Sequence, residues 1–183
     1  IEARLAWRLI QLVPGAEMCR FGKNGNDVVN AAVRLARAYT GGKSHVLRTC
    51  YHGHADWAVE SPMHVGVPSA IRDLTHRIKP NDLGDLEKHL RGLNAAAFVM
   101  EPIPTHDPIT PDDAYMWGVR ELCDRYGAVW IMDEMVTGFR TGFPGSVANY
   151  SAIPDLWCGA KALGGGWPIT ALLGPAEIMK RLE

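Results

Sequence analysis

The chain predicts an α/β protein organised as one unit over residues 1–183, a mostly parallel sheet flanked by helices. Three observations predict it. Short continuous apolar runs, Ala95-Ala96-Ala97-Phe98-Val99-Met100 and Ala128-Val129-Trp130-Ile131-Met132, have the length and composition of strands buried on both faces. A helical stretch from about Thr110 to Tyr126 separates the two, and strand–helix–strand order implies a right-handed parallel crossover. Each run ends in acids, Glu101 and Asp133-Glu134, at the strand end where open α/β sheets bind ligands.

The elements follow in order. Leu5, Leu9, Ile10 and Val13 form a helical stripe that Pro14-Gly15 ends. Glu17 to Phe21 is a short strand, and the turn-rich run Gly22 to Asp27 opens a long helix to about Tyr39. That helix carries Val29, Ala32, Val33, Ala36 and Tyr39 on one face, with Gly41-Gly42 beyond its end. His45 to Cys50 is the next strand, ending at Tyr51-His52-Gly53-His54-Ala55-Asp56. A loop runs through Pro62 and Pro68, and a helix capped at Asn81 or Asp82 runs to Leu90. After the strand from Ala95, Ile103 to Pro108 is a stiff loop carrying His106. Thr110-Pro111-Asp112-Asp113 then reads as a helix start, with Thr110 as cap and Pro111 in the first position. Phe139 to Tyr150, rich in glycine, is expected as a loop over the site, with Arg140 either meeting a substrate carboxylate or standing solvated or in a structural ion pair. Ile153 to Ala160 is the last strand, and Ala176 to Leu182 begins a helix.

Composition narrows the function classes. With 19 basic and 20 acidic residues the charge is balanced, which gives no basic surface for nucleic acid or anionic membrane. No apolar run approaches ~18 residues, so no membrane span is expected. Cys19, Cys50, Cys123 and Cys158 are scattered through apolar runs and read as buried thiols of a cytoplasmic protein, not a disulfide frame or a zinc site. The first residue is Ile1 and no signal-peptide pattern follows.

Chemistry concentrates at the ends of two strands. Asp133 closes one, and Lys161 follows the other and precedes Gly164-Gly165-Gly166, so acid and amine point into one crevice. A partly desolvated lysine can form a Schiff base with an aldehyde, and a carboxylate can hold a proton on a pyridine nitrogen, making the ring an electron sink. Together they describe a site for pyridoxal 5'-phosphate; taken singly, Asp133 reads as a strand-end acid and Lys161 as a loop lysine. Gly25 and Asn26, at a turn feeding a helix N-terminus, suit a phosphate, though such turns commonly only turn. Tyr51 can stack on a flat ring or sit at the core edge. His52 and His54 with Asp56 form a His-x-His pair, and His52, His54 and Asp133 would serve a metal-dependent hydrolase.

The run Asp133-Glu134-Met135-Val136-Thr137-Gly138-Phe139-Arg140, with Pro154-Asp155-Leu156 and Gly159-Ala160-Lys161-Ala162-Leu163-Gly164-Gly165-Gly166, resembles the class III pyridoxal-phosphate-dependent aminotransferases. Within them it is most similar to the glutamate-1-semialdehyde aminomutases. The resemblance implies a Schiff base at Lys161, Asp133 on the pyridine nitrogen, Tyr51 over the ring with His52 beside it, and the phosphate at Gly25 and Asn26. There the family reads Asn-Ser-Gly-Thr-Glu-Ala where this chain has Lys23-Asn24-Gly25-Asn26-Asp27-Val28. It implies an enzyme that moves an amino group between, or within, small amino and oxo compounds. It also implies a homodimer whose phosphate site a partner chain completes. The segment from His54 to Val67 corresponds to a mobile lid and is short for the aminomutases, which have an asparagine where His106 falls. Family enzymes are much longer, so the chain is expected to be part of a cofactor-binding large domain. The alternative is a non-catalytic fragment that folds and self-associates.

Overall fold

The computed structural model describes residues 1–59, 64–106 and 108–182. Pro62 in the expected lid and Asp107 in the loop after Glu101 lie outside the described residues. The elements are α1 (Glu2–Leu12), β1 (Met18–Gly22), α2 (Gly25–Tyr39), β2 (His45–Arg48), α3 (Ser69–Arg72), β3 (Thr75–Arg77), α4 (Leu83–Gly92), β4 (Ala95–Met100), α5 (Asp113–Tyr126), β5 (Val129–Glu134), β6 (Leu156–Gly159), β7 (Thr170–Gly174) and α6 (Ala176–Met179). The strands join one sheet in the order β1-β7-β6-β5-β4-β2-β3. From β3 to β6 every pairing is parallel, whereas β7 runs antiparallel to both β6 and β1. The mostly parallel sheet is as expected, with β7 the reversed strand. Among the described residues no helix is long and apolar enough to cross a membrane.

Period-two alternation builds two cores. Phe98, Met100, Trp130, Met132, Trp157 and Leu173 face α1, α4 and α5, while Ala97, Val99, Val129, Ile131, Cys158 and Leu172 face α2 and α6. Each large side chain buried this way contributes about 1.5–3 kcal/mol. Helix starts are fixed by side chains. Asn24 and Asp27 form a reciprocal capping box on α2, and Asp82 accepts the Asp85 N–H at 3.0 Å on α4. On α5 the cap is Asp112, which accepts the Tyr115 N–H at 2.7 Å; Thr110 and Pro111 precede the helix and do not open it. Tyr39 is another departure: it is 37% exposed and donates to Glu177 instead of packing with Ala36. The thiols match expectation in part. Cys50, Cys123 and Cys158 are buried, Cys19 is half-buried, and burial pushes the Cys19 thiol up to about 12.

Phe139 to Tyr150 does not cover the site. It folds onto the opposite face of the sheet, around the Glu134 side chain, which is fully buried. Thr137 Oγ1 and the Ser146 N–H donate to Glu134 Oε2 at 2.6 and 2.8 Å; the Val147 N–H and Trp157 Nε1 donate to Oε1 at 2.8 and 3.2 Å. Any Cβ at Gly145 would stand 2.5 Å from Oε2, so the loop closes this tightly only with glycine. Arg140 is exposed and donates to the Val136 carbonyl at 2.7 Å, as the solvated reading expects. Three histidines meet at the other end of the sheet: His45 Nδ1 lies 2.9 Å from His76 Nε2, and the His76 and His89 rings are 6.3 Å apart.

Two outcomes follow from these packings. Glu134→Ala strands four donors and is expected to cost about 3–5 kcal/mol in urea unfolding, with Glu134→Gln, which keeps one acceptor oxygen, costing roughly half as much. Burial, then His45 and His89, hold His76 below its ordinary value of 6.5. The unfolded state therefore binds that proton more readily, so the stability is present above 6.5 and is lost as pH falls below it. The decline in unfolding free energy from about pH 7 to about pH 5 should be shallower in His76→Gln than in the native protein.

Candidate active site

Because β5 and β6 are parallel and adjacent, with Asp133 beside Cys158 and Glu134 beside Gly159, their ends open at one edge of the sheet. Asp133 has the same strand parity as Ile131 and faces α2, whereas Glu134 faces away. Between the strand ends and the first turn of α2 lies a cavity of about 560 Å³, within the range typical of small-molecule sites. Asn24, Gly25, Asn26, Tyr51, His52, His54, Glu101, Thr105, His106, Asp133 and Lys161 line it, with Val29, Met135, Val136 and Ala160 as its apolar wall.

Asp133 and His52 are both buried, and His52 Nδ1 stands 2.8 Å from Asp133 Oδ2. The other carboxylate oxygen, Oδ1, accepts the Met135 N–H at 3.0 Å. With Nδ1 donating to the carboxylate, the neutral ring presents Nε2 as an acceptor; that atom is buried without a hydrogen-bond partner. Glu101, also buried, accepts the Thr105 N–H at 3.0 Å and the Thr105 hydroxyl at 2.6 Å, which folds the loop after β4 back onto the strand end. Lys161 follows β6 with φ +46, in the left-handed region, where a non-glycine residue costs about 1–2 kcal/mol. Its side chain is exposed and not desolvated as the sequence suggests. Tyr51 is 50% exposed at the cavity wall.

Every residue expected at the site from the sequence (Gly25, Asn26, Tyr51, His52, Asp133 and Lys161) lines this one cavity. The Asn26 side chain, expected to face a phosphate, is turned to His54. The metal-dependent hydrolase has no ligand set: His52 is bonded to Asp133 and His54 to Asn26, and no group of three or more His, Cys, Asp or Glu side chains converges among the described residues. His106 lines the cavity while remaining exposed. Sequence reading gave no role to Glu101, Thr105, Met135, Val136 or Ala160. The position of Glu101 at the end of a buried run, like that of Asp133, was the available signal; Thr105 enters only through its bond to Glu101.

The family described as Aminotransferase class-III matches residues 2–183. A glutamate-1-semialdehyde 2,1-aminomutase from Heliobacterium modesticaldum is 37% identical over 198 residues, covering 100% of this chain and 45% of that protein. The counterpart from Natranaerobius thermophilus is 36% identical, with 98% of this chain and 45% of that protein covered. Among solved structures, an omega-transaminase from Sphaerobacter thermophilus superposes with a TM-score of 0.87 at 31% identity, over 97% of this chain and 45% of that one. The FumI protein of Sphingopyxis sp. MTA144, solved as its PLP internal aldimine form, superposes with a TM-score of 0.84 at 28% identity, over 99% and 45%. The chain thus spans a little under half the length of the relatives it matches, and across that span it belongs to the class III aminotransferases.

Proposed function

We propose that the chain is the cofactor-binding part of a pyridoxal-phosphate-dependent enzyme that moves an amino group, either between two small molecules or, as in the aminomutase relatives, within one. The observation that carries this reading is the convergence of Asp133, paired to His52, and Lys161 at adjacent strand ends beside one cavity. The residues present fit the group: a buried acid for a ring nitrogen, an exposed tyrosine ring for stacking, a lysine amine for a carbonyl, a helix N-terminus for a phosphate, and an unpartnered buried His52 Nε2 that asks for a polar neighbour.

When bound, pyridoxal phosphate supplies an electron sink for the electrons released at the amino-bearing carbon. The chain's own residues do the rest. Asp133 Oδ2 and Oδ1 are held by His52 and the Met135 N–H, which fixes the carboxylate in a pose where it would keep a proton on a ring nitrogen. Lys161 Nζ would hold the cofactor at its carbonyl carbon, and the lysine amine would serve to take up and return the proton of the substrate carbon. Its left-handed backbone sets where that amine can reach. Val29, Met135, Val136 and Ala160 give the cavity an apolar wall. Assembly into a homo-oligomer belongs to the same proposal. Trp7, Trp167 and Phe143 are exposed by 58%, 80% and 69%, side chains of the type enriched at subunit interfaces.

Borohydride reduction of the protein mixed with pyridoxal phosphate, followed by peptide mapping, is expected to place the label on Lys161; a label on Lys23 or Lys43 instead sinks the assignment. Asp133→Asn is expected to retain the fold and bound cofactor while slowing exchange of the substrate's α-proton at least about 100-fold. Exchange at the native rate with cofactor bound removes Asp133 from the mechanism.

A further inference from the structure

The segment that follows β2 is joined to α2 at two places one helical turn apart. Asn26, in the first turn of α2, accepts the His54 backbone N–H on Oδ1 at 3.1 Å, and its Nδ2 stands 2.9 Å from Nε2 of the His54 ring. Asn30 Oδ1 accepts the indole N–H of Trp57 at 2.6 Å. Residues four apart on a helix share a face, so both amides are directed at the same segment. Gly53 belongs to the first contact: it has φ +102, and a Cβ there would collide with Asn26 Oδ1, so only glycine brings the segment this close to α2. The capping box of Asn24 and Asp27 fixes the helical turn on which Asn26 sits. Trp57, at the second contact, is buried in the core on the α2 side of the sheet. An amide with both ends taken up by one histidine has little capacity left for a further partner.

We propose that Asn26 and Asn30 are positioning residues: they hold residues 51–59 against α2 and thereby set the part of the cavity wall that Tyr51 and His52 form. The inference rests on the reading of that cavity as a cofactor site. The bond from His52 to Asp133 pins the segment to the sheet at one point, and a segment held at one point can pivot about it. Pins at His54 and Trp57, both on α2, remove that freedom. Tyr51, half exposed beside His52, then keeps one place at the wall before any ligand arrives, and preorganisation of this kind lowers the cost of binding. The Asn26 amide acts through the segment and needs no contact with the bound molecule.

Three variants, Asn26→Ala, Asn26→Thr and Asn26→Asp, separate positioning from direct contact. A carboxylate can still accept the His54 backbone N–H and a ring N–H, whereas the shorter threonine hydroxyl cannot span the two. Without ligand, amide hydrogen exchange over residues 51–59 is expected to speed about tenfold in Asn26→Ala and Asn26→Thr, the scale of one hydrogen bond, and to stay near the native rate in Asn26→Asp. Asn30→Ala should speed exchange over the same residues. Binding of pyridoxal phosphate and of pyridoxal, which lacks the phosphate, is measured by tryptophan fluorescence. Asn26→Ala and Asn26→Thr are expected to weaken both aldehydes by a similar factor, about three- to tenfold, and Asn26→Asp to keep native pyridoxal binding. Native exchange in Asn26→Ala, or a loss confined to pyridoxal phosphate, overturns the assignment. Faster exchange in Asn26→Ala with no borohydride label on Lys161 would remove the cofactor reading and keep the hold on the segment; a labelled Lys161 with native exchange would do the reverse.

Discussion

The bond between His52 Nδ1 and Asp133 Oδ2, 2.8 Å long and closed off from water, is the constraint on which the cavity depends. His52 follows β2 and Asp133 ends β5, and β4 lies between those strands in the sheet. The bond therefore reaches across the strand between them and fixes the loop after β2 over the sheet edge. Tyr51, Gly53 and His54 take their places at the cavity because their neighbour is held there. Removing one partner of such a buried pair leaves an uncompensated polar group, at a cost of about 3–5 kcal/mol.

The dipeptide Asp133-Glu134 divides two jobs by strand alternation alone. Successive strand residues point to opposite faces, so Asp133 enters the cavity beside α2 while Glu134 enters the other core. There Glu134 gathers the Ser146 and Val147 N–H groups, Thr137 and Trp157. One acid lines the cavity and the other holds the long connection between β5 and β6. That connection in turn sets where β6 pairs with β5 and hence where Lys161 emerges. The scaffold role of Glu134 thus supports the position of the amine on the opposite side of the sheet.

The cavity also separates groups by exposure. Asp133, His52 and Glu101 are buried at its floor, whereas Tyr51, His54, His106 and Lys161 are exposed around it. Fixed, hydrogen-bonded acids below and open rings and an amine above suit a ligand that enters from solvent and is held at depth by polarity. Lys161 is the one exposed wall residue with a left-handed backbone, and the strain sits at the residue that the proposed chemistry uses.

Much of this was legible in the sequence because it is local. Buried strands announce themselves as apolar runs: β4 ends with its run at Met100, and β5 ends at Glu134, two residues past its own. Their terminal acids and the lysine before three glycines are read from the chain itself; Gly25, Asn26, Tyr51 and His52 were expected chiefly from the family resemblance, and all six line one cavity. Short or unpatterned elements were not legible. Thr75–Arg77 is polar and three residues long, and Thr170–Gly174 becomes a strand only by pairing with β6 and β1. The loop from Phe139 was assigned to the wrong face because glycine content signals a turn but not what the turn wraps. Likewise, the sequence shows an asparagine at a helix start and a histidine after Tyr51, but not that each would occupy the other. Residue type and periodicity depend on neighbours in the chain; the His52–Asp133 and Asn26–His54 contacts join residues far apart in it, and only the packed sheet decides them.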